Sequence, residues 1–175
     1  MIKTIALLLA VLIGLLLIYA STRPDSFRIE RSITVASPPG KVFALINNFH
    51  QWELWSPWEK VDPQIQRSYS GPAEGPGAIY AWQGNKDIGS GRMEIVAATA
   101  PTQLEIKIDF ITPFEAHNTV SFTLVPQGQA TLVTQAMYGP SPFVSKLMSV
   151  FFSMDKMVGS KYEEGLATLK ALAEK

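Results

Sequence analysis

Two histidines and no cysteine are what this sequence offers for nucleophilic or metal chemistry. A hydroxyl nucleophile needs a base beside it, so a serine or threonine near His50 or His117 would be the pairing. No G-x-S-x-G turn is present. The run Gly89-Ser90-Gly91 falls in an expected hairpin connection, where glycine supplies positive φ, and not between a strand and a helix. Metal binding needs clustered imidazole, thiolate or carboxylate, and the two histidines stand 67 positions apart with no ligand spacing around either. Each reads as a solvated or packing histidine. Gly71, Gly75 and Gly77 lead into a strand, which excludes a phosphate loop or dinucleotide turn. Glu105 and Asp109 alternate onto one strand face with Lys107 between them and read as solvated charges. The sequence implies no metal and no cofactor, and it assigns no catalytic residue.

Asn118 is the polar residue whose position needs a reason. Its strand parity groups it with Phe114, Ala116, Val120 and Phe122 on the apolar side. An amide there requires an internal hydrogen bond or a ligand, and the internal bond is the commoner solution. Aromatic side chains are the other concentration. Trp52, Trp55 and Trp58 lie within seven residues, Tyr80 and Trp82 share a strand face, and Phe110 and Phe114 flank Pro113. Large rings with few charges suit an apolar cavity and an ordinary core equally.

The elements that must position these residues begin with 19 uncharged positions from Thr4 to Thr22. At about 1.5 Å per residue they reach roughly 28 Å as a helix, close to the thickness of bilayer hydrocarbon. A cleaved secretory signal is the alternative, with Lys3 as the positive flank and Ala20 as the last residue removed. Against it, the apolar run exceeds a signal's usual core, and bulky Ile18 and Tyr19 replace a small-x-small cleavage site. Residues 4–22 are therefore expected to be an uncleaved single-pass anchor, 23–26 a linker and 27–175 one domain. Positive residues flank the span on both sides, with Lys3 before it and Arg23, Arg28 and Arg31 after it, so charge does not set the orientation. A simple amino-terminal anchor commonly exports the domain attached to it, which favours a bacterial inner membrane with the domain facing outward. Lys3 is the only basic residue before Arg23, so 14 basic and 15 acidic side chains lie beyond the span. That balance carries no footprint for nucleic acid.

Beyond the linker, Phe27, Ile29, Ile33 and Val35 alternate with polar residues as in a half-buried strand. Ser37-Pro38-Pro39-Gly40 ends it and starts a helical stretch to Leu54, read as two short helices broken near Asn47-Asn48. Six strands are expected over 64–70, 78–84, 88–99, 103–111, 115–125 and 130–138. The clearest has Leu104, Ile106, Ile108 and Phe110 facing one way. Val158, Tyr162, Leu166, Leu169 and Leu172 or Ala173 then recur at helical spacing along a long closing helix. Before it, Pro142–Phe152 is unusually apolar: a core-packing helix, a pocket lid or a surface resting on the membrane. The fold class is α+β, a curved antiparallel sheet around one long carboxy-terminal helix.

These stretches resemble the SRPBCC superfamily, also described as START or Bet v1-like, in its polyketide cyclase/dehydrase branch. The resemblance is carried by Phe27–Val35, Pro38-Pro39-Gly40-Lys41-Val42-Phe43, Trp52–Trp58 (WELWSPW), Ser70-Gly71-Pro72 and Gly77–Asn85 (GAIYAWQGN). It continues through Gly89-Ser90-Gly91-Arg92-Met93, Thr131-Leu132-Val133-Thr134 and Gly159–Lys170, covering nearly all of residues 27–173. Gln135 stands where a related pattern places a tryptophan. The resemblance implies a helix-grip fold with a deep apolar cavity between sheet and helix, and a pocket more firmly than a reaction. On that basis Trp55, Tyr80, Trp82, Met93, Phe110, Asn118 and Met157 are the expected ligand-binding residues. The expected partners are a hydrophobic small molecule or lipid and, through the first helix, a membrane. The expected function is a membrane-tethered binding module for a lipid- or polyketide-like molecule. A polyketide cyclase/dehydratase-type enzyme acting on an apolar substrate is the alternative.

Overall fold

The computed structural model describes residues 2–175. Helix α1 (Ile2–Ser21) leads into β1 (Ser26–Val35), then α2 (Pro39–Ile46) and two 3-10 turns, Phe49–Leu54 and Pro57–Lys60. Six more strands come next: β2 (Gln66–Ser70), β3 (Ile79–Gln83), β4 (Ser90–Thr99), β5 (Gln103–Thr112), β6 (Ala116–Gln127) and β7 (Ala130–Pro140). Helices α3 (Phe143–Phe151) and α4 (Met154–Ala173) close the chain. The seven strands make one antiparallel sheet in the order β1-β7-β6-β5-β4-β3-β2. Strands β2 to β7 are successive hairpins, and β1 joins the free edge of β7. This is the expected helix-grip arrangement.

Antiparallel pairing fixes which loops share an end. Ser26 pairs with Pro140, Ser90 with Thr112 and Phe110 with Ala116. The β3–β4 and β5–β6 connections, the end of β7 and the start of β1 therefore gather at one end of the sheet, where α1 also arrives.

The expected parity holds along β5: Leu104, Ile106 and Ile108 are buried while Gln103, Glu105 and Lys107 are exposed. Over this face the indoles of Trp52 and Trp55 lie 4.8 Å apart between centroids and meet Phe122 edge-on at 6.0 and 6.2 Å. Their N–H groups donate to Ile46 O at 3.0 Å and Leu45 O at 3.2 Å, so the end of α2 sets both rings. Helix α4 starts on Ser153, whose side chain accepts from Lys156 N, and it buries Tyr162, Leu166, Leu169 and Ala173.

An arginine ties α4 to β1. Arg31 makes a two-pronged contact with Asp155, 3.0 Å on each prong, and donates to Glu163 at 2.6 Å. The acids stand four residues either side of Gly159, and a Cβ at Gly159 would overlap the guanidinium. Glycine costs about 1 kcal/mol in a helix relative to alanine. The planar guanidinium serving two carboxylates offsets that cost.

Three details depart from the sequence reading. The second 3-10 turn was not expected. Phe114 is not on the apolar face of β6, because β5 ends before Pro113 and β6 starts only at Ala116, which leaves Phe114 72% exposed. Segment 142–152 is no core-packing helix either, since Lys146 is the one buried residue of α3. Phe122 is 1% exposed and bridges the sheet to both indoles. Phe122→Ala is expected to cost about 3–5 kcal/mol in a urea denaturation of the detergent-solubilised chain, whereas Phe114→Ala should cost almost nothing.

Candidate functional site

Two cross-strand rows form the part of the concave face nearest α1. In one, Tyr80 stands opposite Met93, Met93 opposite Ile108 and Ile108 opposite Asn118. In the next, Trp82 stands opposite Gly91 and Gly91 opposite Phe110. Five expected site residues, Tyr80, Trp82, Met93, Phe110 and Asn118, are thus side by side. Trp82 stacks on Tyr80 with centroids 6.0 Å apart and meets Phe110 edge-on at the same distance. Gly91 makes this possible, because a Cβ there would overlap the indole and lie 2.6 Å from Asp109 O. Trp82, Met93 and Asn118 keep 8–9% exposure, while Ile95 and Ile106, farther from this end, have none.

The other two expected residues lie apart from these rows. Trp55 is a core side chain pressed between Phe122 and α4 at Gly165. Met157 stands on the first turn of α4 with 57% exposure. Two clefts open elsewhere: one of about 230 Å³ beside His50, Tyr69 and Pro72, and one of about 210 Å³ around Ala97, Gln103 and Thr123. Neither is the space between sheet and α4, where aromatic packing occupies most of the concave face.

Polar groups enter this face at three places. Asn118 is 9% exposed and lies against Gly139, where any Cβ would overlap its Oδ1. Gln135 points inward beside Tyr162 with 5% exposure, and its Oε1 has no partner among the described residues. Burial pushes the Tyr162 phenol well above its ordinary range, against an opposing effect of the Gln135 amide. Tyr80 donates its O–H to Glu59 at 2.7 Å, and Arg67 holds the same carboxylate at 2.6 Å. Burial, then the bond to Glu59, raises the Tyr80 phenol too. Sequence reasoning missed Glu59, because a 3-10 turn has no periodicity to announce which side chain turns inward. Gln135 was detectable, sharing parity with Val133 and Met137 on β7.

On the outer face His117 Nδ1 lies 2.6 Å from Asp109, and Lys107 reaches the same carboxylate at 3.1 Å. His50 stacks on Tyr69 with centroids 3.9 Å apart. His117 faces away from the concave rows, whereas His50 lies over Tyr69, which stands opposite Tyr80 at the β2 end of the first row. The bond to Asp109 raises the His117 imidazole above its ordinary value of 6.5. Burial pushes Asp109 up, but the bonds from His117 and Lys107 outweigh it and hold the carboxyl below its ordinary 3.8.

A seven-stranded sheet wrapped on a carboxy-terminal helix, with an aromatic inner face and inward amides, defines a helix-grip protein of the Bet v1-like kind. The chain belongs to the polyketide cyclase/dehydrase and lipid transport family, whose model matches residues 26–174. Solved structures agree on the fold at low identity. Protein CV1439 from Chromobacterium violaceum is 12% identical with a TM-score of 0.60, over 87% of this chain and 99% of that one. Ara h 8.0201 is 15% identical with a TM-score of 0.57, over 85% and 97%. The di-domain ARO/CYC BexL from the BE-7585A biosynthetic pathway is 11% identical with a TM-score of 0.63, over 90% of this chain and 53% of that one. No curated protein matches the chain.

The outer-face pair titrates with a definite sign. A raised histidine stabilises the fold fully below its unfolded value of 6.5, and that contribution is lost as pH rises through the higher folded value. The lowered Asp109 contributes above 3.8 and loses its contribution as pH falls through its folded value. The His117 imidazole signals, followed by NMR, should titrate above those of the Asp109→Asn variant. His117→Gln should remove the part of the alkaline loss of stability that this pair supplies.

Proposed function

We propose that this chain is a membrane-tethered binding module for a hydrophobic or amphipathic small molecule of lipid- or polyketide-like character. The ligand is held between the concave face and α4, with residues 4–22 as the anchor and residues 27–175 as the binding domain. One observation carries the reading: an aromatic and thioether face that receives two inward amides, Asn118 at 9% exposure and Gln135, whose Oε1 has no hydrogen-bond partner among the described residues. Apolar rows supply affinity through burial, and a few inward polar groups fix a ligand's carbonyl or hydroxyl. Most buried amides are satisfied internally, so the unpaired Gln135 Oε1 on this face is notable. The family's description includes lipid transport, which fits. Helix α1 supports the tether, being long and apolar enough to cross a bilayer and almost entirely exposed. An outward-facing domain on a bacterial inner membrane is part of the same proposal.

A second reading, a polyketide cyclase/dehydratase-type enzyme, draws on Tyr80. Its phenol stays protonated and its one O–H is given to Glu59, so it must leave Glu59 to donate to a substrate carbonyl, and it is a poor base. Arg67 pairs with the same Glu59 carboxylate at 2.6 Å.

Native mass spectrometry of the full-length protein, extracted from membranes in detergent, should reveal a co-purifying apolar molecule. Trp82→Ala should weaken rebinding of a fluorescent fatty acid by about tenfold, the scale of one aromatic contact plus its burial. Asn118→Leu should weaken ligands with a polar head more than a plain hydrocarbon. A chain that carries no small molecule and binds none of these probes would end the binding reading. Turnover of a poly-β-ketone lost in Tyr80→Phe with binding intact would favour the enzyme.

A further inference from the structure

Helix α3 is inside out for a helix in water. Its buried side chain is Lys146, which reaches Asp25 Oδ1 at 2.5 Å, and Ser149 bonds back to Lys146 O at 2.7 Å on the same side. Phe143, Val144, Met148 and Phe151 of the same helix are 44–66% exposed. A soluble amphipathic helix does the opposite. The pattern continues beyond the helix, where Phe152, Met154 and Met157 are exposed on the approach to and first turn of α4. At the same end of the sheet, Ile111 near the end of β5 and Phe114 in the β5–β6 connection are exposed. Among the described residues, nine of the thirteen large apolar side chains exposed outside α1 thus stand at the end of the sheet that α1 joins.

The place of α1 identifies what covers this rim. Helix α1 packs against α3, and its shielded side chains are Leu16, half-buried, and Ala20, fully buried. From Leu16 to Ser21 is about 7–8 Å along a helix. Interfacial helices bury their apolar faces about 5–10 Å below the headgroups, so α3 sits at that depth if α1 spans. Tyr19, with the Arg23 guanidinium 5.8 Å from its ring, marks the headgroup level on the same turn. The chain between α1 and β1 is held as well: Asp25 receives Lys146, and its carbonyl accepts Ser141 N at 2.7 Å.

We infer that α3, the first turn of α4 and the β5–β6 connection rest in the leaflet that holds the end of α1. The rim beside Trp82, Met93 and Phe110 then opens onto lipid, and the ligand is a membrane-resident amphiphile that enters sideways without crossing water. This rests on the tether reading above and adds to it a second, independent contact with the bilayer.

The chain has no cysteine, so single labels are unambiguous. Nitroxide side chains placed through Phe114→Cys, Val144→Cys and Phe151→Cys would be studied in full-length protein reconstituted into phosphatidylethanolamine/phosphatidylglycerol vesicles. Leu9→Cys in α1 and Val125→Cys at the far end of the sheet serve as references, with circular dichroism confirming the fold. Collision with oxygen relative to a water-soluble nickel chelate should be several-fold higher at the three rim sites than at Val125. Rim sites as accessible to nickel as Val125, with Leu9 shielded, would overturn the docking and leave the tether standing. A Leu9 label open to nickel would overturn both. Rim labels shielded from both reagents, with spin–spin broadening between chains, would replace the lipid by a second copy and also overturn the proposal.

Discussion

A seven-stranded sheet is wider than the helix laid on it, and that mismatch governs the interior of this protein. Strands about 4.8 Å apart make a surface close to 30 Å across, whereas a helix with its side chains covers about 10–12 Å. Helix α4 is fastened over one flank by three sets of bonds to β1 and its end: Arg31 to Asp155 and Glu163, Lys170 Nζ to Thr34 O, and Ala36 N to Glu174. Everything from β6 to β2 needs other cover. Near the far end Trp52, Trp55 and Phe49 supply it from the short helical turns. Near α1 the rings of Trp82, Tyr80 and Phe110 lie across the sheet itself. That ring-covered part of the sheet is the proposed binding face.

Charge is distributed to match. The outer face of the sheet carries paired ions such as Asp109 with His117 and Lys107, and Arg92 with Glu94. Such exposed pairs keep one face wet and add little stability individually. The concave face carries no free charge of this kind among the described residues. Glu59, buried beneath the turn of Pro57–Lys60, is neutralised by Arg67 and capped by Tyr80. Its network ties β2 and β3 to the helical turns while leaving the aromatic rows uncharged.

Much of this was legible in the sequence. Period-two alternation located all seven strands, and the closing helix showed itself through Tyr162, Leu166 and Leu169. The row of Tyr80, Met93 and Asn118 was foreseeable residue by residue, but its assembly was not, because strand register appears only with pairing. Trp55 and Trp82 look alike as tryptophans, yet Trp55 stands under α4 with its N–H on Leu45 O, while Trp82 lies over Gly91 with its N–H on Ile88 O. Phe114 misled because parity was carried through Pro113, where pairing stops. Helix α3 could be read three ways because its pattern shows which face is apolar and not what that face meets, which only the bond of Lys146 to Asp25 fixes.

That ion pair changes what the four residues between α1 and β1 do. As a free linker they would let the domain tumble within a cap of about 14 Å radius above its anchor. With Asp25 bonded to Lys146 and Ser141, their reach is shorter and one bearing of the domain relative to α1 is favoured. Under the proposed tether, a domain so held would face one leaflet, and lipid asymmetry, not affinity alone, would decide what it meets.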